Sequence, residues 1–134
     1  MRRTLALTAV LALALSACGQ ATSSESDKFK GEQQNVVKVV DALATAGTRG
    51  DADKICKDIL AKQLVTELKS AGGDCVTEMD RAIKDASDYD LQVTSVKING
   101  NNATAQVRQG KDGQTATFTF VKEGGAWKAS ALGS

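Results

Sequence analysis

The chain has 134 residues, with seventeen Lys and Arg against sixteen Asp and Glu, three cysteines, and neither histidine nor proline. A near-neutral balance supplies no basic footprint for nucleic acid, and the absence of histidine removes the usual general base of serine and cysteine nucleophiles. A zinc site takes about four Cys or His ligands, so no metal or cofactor is expected, and the length suits a single domain with a modest core.

Arg2 and Arg3 open the chain, an apolar run covers residues 5–15, and Ser16 and Ala17 are small. This is a secretory signal layout, predicted over residues 1–17. The apolar run is shorter than the ~20 residues a helix needs to cross a bilayer. Leu15-Ser16-Ala17-Cys18 resembles the lipobox of bacterial lipoproteins. That resemblance implies cleavage before Cys18, a diacylglyceryl group on its sulfur, and a lipid-anchored location on the extracytoplasmic face of the cell membrane. Two or more acyl chains anchor durably because each buried methylene contributes ~0.8 kcal/mol. Cleavage would remove two basic residues and no acid, leaving fifteen positive against sixteen negative side chains.

Residues 18–31 are polar and rich in serine, and are predicted to be a lipidated flexible tether with a reach of roughly 20 Å. Phe29 is the one large apolar residue there. It is expected to be exposed, the other reading being that it starts the core of the domain over residues 32–134.

Within that domain, Val36, Val39, Val40 and Leu43 recur at helical spacing up to a stop around Gly47 and Gly50. Asp51 is placed to cap a second helix that turns Ile55, Ile59 and Leu60 inward. Leu64, Val65 and Leu68 carry a third helical period to Gly72-Gly73. Asp74 then caps a fourth helix bearing Val76, Met79 and Ile83, and the helical half ends near Asp88. Beyond it the period becomes two. Leu91 and Val93 fall out of phase with Val96 and Ile98, which predicts a bulge near Thr94 and Ser95. Asn99-Gly100-Asn101-Asn102 and Lys111-Asp112-Gly113 read as turns, as does Glu123-Gly124-Gly125. They separate Ala103, Ala105 and Val107 from Ala116, Phe118 and Phe120, and these from residues 126–132. The fold class expected is α+β, with N-terminal helices packed on a curved four-stranded antiparallel sheet.

Four stretches, Gly50-Asp51-Ala52-Asp53-Lys54-Ile55-Cys56, Gly72-Gly73-Asp74-Cys75, residues 93–98 with their Asn-Gly turn, and residues 120–128, follow one another in an order similar to the nuclear-transport-factor-2-like superfamily. The nearest likeness is to its bacterial lipoproteins of unknown function. The resemblance spans most of residues 36–132 and implies a cone-shaped roll with a pocket between helices and sheet. It implies no reaction, since one fold hosts many functions.

With Cys18 assigned to lipid, Cys56 and Cys75 remain as an even pair in an oxidising compartment and are expected to form a disulfide. They lack the Cys-x-x-Cys spacing of redox catalysts. Tyr89, Phe118, Phe120 and Trp127 are candidate pocket-lining residues, the plainer reading of the last three being core. Tyr89 between Asp88 and Asp90 is the only group resembling a carboxylate-and-tyrosine isomerase site, and the bland reading, a half-buried tyrosine at an acidic turn, is preferred. Small residues on the strands, among them Ala103 and Ala105, favour a hollow cone or close helix packing. Asn102-Ala103-Thr104 fits a glycosylation sequon but reads as turn chemistry. The function expected is non-catalytic binding of a small apolar or amphipathic ligand. The alternative is an accessory module docking on an envelope protein, and no nucleic-acid partner is expected.

Overall fold

In the computed structural model, which describes residues 28–86, 89–110 and 113–133, helical segments precede a four-stranded sheet. The predicted signal segment, Cys18 and most of the tether lie outside the described residues, as do Asp88, Lys111 and Asp112. Helix α1, Glu32–Arg49, buries Val36, Val37, Val40, Ala46 and Gly47. Val39 and Leu43, expected on this face, are half-buried at its margin, while Val37 is fully buried. The buried stripe is wide because α1 packs on β1, on β4 and on the segments that follow it in the chain. Gly50 ends the helix in the left-handed region at φ 69°, and its amide returns to the carbonyls of Ala46 and Gly47.

Asp51 accepts the Lys54 amide at 3.0 Å and starts α2, Ala52–Lys54. The single regular helix expected here is corrected: α2 runs directly into a π-helical turn, Ile55–Ile59, and the chain leaves it extended at Leu60. The wider turn keeps Ile55, Ile59 and Leu60 all buried. Leu60 then pairs in parallel with Ala129, whose carbonyl accepts the Ala61 amide at 2.8 Å. That segment covers part of the outer edge of the last strand. Helix α3, Lys62–Ser70, has no capping side chain of its own. Its first amide instead donates to the Glu123 carboxylate, at 2.9 and 3.2 Å, which places an anion at the positive end of the helix dipole. Asp74 caps α4, Cys75–Asp85, by accepting the Thr77 amide.

The strands β1 (Leu91–Asn99), β2 (Asn102–Gln109), β3 (Thr115–Glu123) and β4 (Ala126–Leu132) form an antiparallel meander in chain order, curved and unclosed. The β1 bulge lies where expected: Val93 pairs with Val107 and Ser95 with Gln106. The skipped residue, Thr94, brings Val96 and Ile98 onto the face already used by Leu91 and Val93, so one strand serves one core. A second irregularity falls between Thr119 and Phe120, where Ser130 of β4 is passed over. Gly124 and Gly125, at φ 56° and 82°, supply the two positive-φ positions of the tight turn into β4.

One expectation about the core is corrected, and one choice left open is decided. Phe29 is not exposed: it is 8% accessible and belongs to the core cluster, because a large apolar ring next to a nascent core is worth ~2 kcal/mol buried. The alanines of β2 do not hollow the sheet. Ala103 stands opposite Phe120 and Ala105 opposite Phe118, so each small residue makes room for a ring, and the α1 valines fill the space above.

Candidate functional site

The inner face of the sheet is packed along much of its length and opens at one end, where β1 begins and β4 finishes. There α1, the π-turn, α4 and the inner face of the sheet enclose a cleft of about 200 Å³. From the helices come Leu43, Gly47, Ile55, Met79, Ala82 and Ile83. The sheet and the loops beside it contribute Ala86, Tyr89, Leu91, Gln109, Phe118 and Leu132. Among the described residues, no charged side chain lines the cleft.

Tyr89 is held by two contacts. Its hydroxyl donates to the carbonyl of Ile83 in the last turn of α4, a group the helix leaves without an intrahelical partner. Its ring lies against Gly47, so close that a Cβ built there would meet Tyr89 Cδ1 at 2.5 Å. The tyrosine is thus a wall of the cleft with its hydroxyl committed to backbone.

Of the other aromatic candidates, Phe118 lines the cleft. Phe120 does not: opposite Ala103 it is fully enclosed in the core. Trp127 does not either, because the β3–β4 register sets it across from Lys122 at the far end of the sheet. There its indole N–H donates to Glu32, whose carboxylate also accepts Lys122 Nζ at 2.9 Å. The Lys122 ammonium stands 5.6 Å from the indole ring centroid. The Lys122 hydrogen bond, and then the Trp127 one, hold the Glu32 carboxyl below its ordinary value. This cluster fastens the start of α1 to the β3–β4 hairpin.

Cys56 in the π-turn and Cys75 at the first residue of α4 form a disulfide, with Cα atoms 6.1 Å apart. It lies at the N-terminal end of α4, the helix that supplies Met79, Ala82 and Ile83 to the cleft. Cys75 is the one buried residue of that helix.

The sequence places Leu43, Met79 and Ile83 on apolar helix faces, and nothing local marks their convergence on a cleft. Gly47 reads in the sequence only as part of a stop signal. Gln109 carried no signal at all; its position opposite Leu91 turns it to the inner face. A second depression, beside Phe29, is lined by Lys28, Gln92, Val93, Thr94 and Arg108, a mixed and charged surface. Among the described residues no group of three or more Cys, Asp or Glu side chains is placed to hold a metal ion, and no helix is long and apolar enough to cross a membrane. Compared with known proteins, the chain matches no family model, no curated protein and no solved structure.

Proposed function

We propose that this protein is a lipid-anchored extracytoplasmic module, related to the nuclear-transport-factor-2-like roll, that binds a small apolar or amphipathic molecule without transforming it. The observation that carries this reading is the cleft: an opening at one end of the core, walled mainly by aliphatic and aromatic side chains, with none that is charged among the described residues. A close-packed interior leaves few voids larger than a water molecule, and an apolar one of this size is a site for an apolar guest. Tyr89 and Phe118, two of the residues singled out in the sequence, border it. The anchor at Cys18 would hold the cleft near the membrane surface, suiting a carrier or a sensor.

Native mass spectrometry on the protein purified from its own host tests the reading. A small molecule lost only on denaturation is the expected result. A bare monomer, or a complex with another protein, would replace it with the docking module.

A further inference from the structure

We infer that the guest is a single medium-length alkyl chain, about eight carbons, belonging to an amphiphile that exchanges through water and leaves its head group outside the cleft. This deepens the small-ligand reading above and rests on it. Size is the first ground. An apolar cavity of about 150 Å³ holds benzene, six carbons, so a cleft of about 200 Å³ takes about eight. An acyl chain long enough to fill one leaflet of a roughly 30 Å hydrocarbon core overfills it and leaves the remainder in water.

The second ground is polarity. Leu43, Ile83, Leu91 and Leu132 present methyl groups, and the Tyr89 hydroxyl is already given to the Ile83 carbonyl. Gln109, the remaining polar lining side chain, is exposed at the rim. An ionised head drawn inside would lose its water without gaining a counter-charge from the described lining residues. The head therefore stays in solvent, and affinity follows chain length and ignores head charge. Location supplies the third ground. The free amphiphile need only partition near the surface where a tether of ten residues or so would hold the domain.

The test uses the chain from residue 18 onward carrying Cys18→Ser, since the described core begins at Phe29 and the protein's own acyl groups must not compete. Titration calorimetry with n-alkanols and n-alkanoates, butyl to tetradecyl and below micellisation, should show affinity rising about fourfold per methylene to octyl and levelling off by decyl. Alcohol and carboxylate of equal length should agree within about threefold. A rise continuing to tetradecyl, or a difference above about tenfold between the two heads, would overturn the inference. Ala82→Trp should fill the cleft and weaken octanol binding by more than about tenfold. If that variant melts early, wild-type methyl resonances decide instead: octanol should shift Leu43, Ile83 and Leu132 and leave Val37 in place, and the reverse pattern sinks the site. Toluene, small enough for the cleft, is the control for the underlying reading. If it binds while alkyl chains do not, only the chain assignment fails. If neither binds, the small-ligand reading fails with it.

Discussion

Gly47 occupies an interior helix position where alanine would ordinarily be favoured by about 1 kcal/mol. Its backbone does not need glycine's conformational freedom; its neighbour needs the space, because a Cβ there would stand 2.5 Å from the Tyr89 ring. Gly47→Ala should therefore destabilise by about 1 to 2 kcal/mol through a displaced ring and a strained Tyr89–Ile83 hydrogen bond. In a Tyr89→Ala background the same change should stabilise by about 1 kcal/mol. Urea unfolding of the four proteins measures this reversal of sign as a double-mutant cycle, and a stabilised Gly47→Ala single variant would contradict the contact. Gly47 was legible in the sequence as helix punctuation, because glycine near a helix end usually is. The contact that retains it depends on Tyr89, forty-two positions away in the sequence, and no local pattern reports such a pair.

Helix α4 depends more on its attachments than on burial. Its neighbours are α2, the π-turn and α3, and its first residue is held by the Cys56–Cys75 bridge, which closes a sequence separation of 19. On the chain-entropy account such a loop contributes about 3 kcal/mol, a large share of a small domain's stability. Reduction should lower the melting temperature by more than about 10 °C, and amide exchange should quicken first in α4, before β2 and β3. An unchanged melting temperature would show that the helix needs no bridge. At this scale the sequence was informative wherever the cause is local. Asp51 and Asp74 cap as expected, the Asn-Gly and Gly-Gly turns fall between strands, and the phase slip in β1 marks its bulge. The π-turn escaped because a wider helical turn keeps Ile55, Ile59 and Leu60 inward and leaves the apolar spacing looking regular. The cap of α3 escaped because Glu123 reaches it from another strand, 61 residues away in sequence.

Among the described residues the two ends of the sheet differ. At one end Glu32, Lys122 and Trp127 tie α1 to the β3–β4 hairpin, and at the other the cleft faces solvent. An anchor at Cys18 would make the membrane part of the site's surroundings. Replacing Cys18 by serine should move the protein from the membrane fraction to the soluble fraction on cell fractionation, with the melting temperature of the domain unchanged. Retention in membranes would remove the anchor from the proposal. The sequence by itself determined the α+β order, the caps at Asp51 and Asp74, the turns and the bulge, because each follows from neighbouring residues, whereas the pairing of Cys56 with Cys75 followed only from first assigning Cys18, one of three cysteines, to lipid. Only the tertiary structure decided that Phe29 joins the core, that Phe118 borders the cleft while Phe120 is enclosed, and that Trp127 lies at the opposite end. Those outcomes depend on cross-strand register and on where α1 crosses the sheet, and both are set by the packing of residues far apart in the chain.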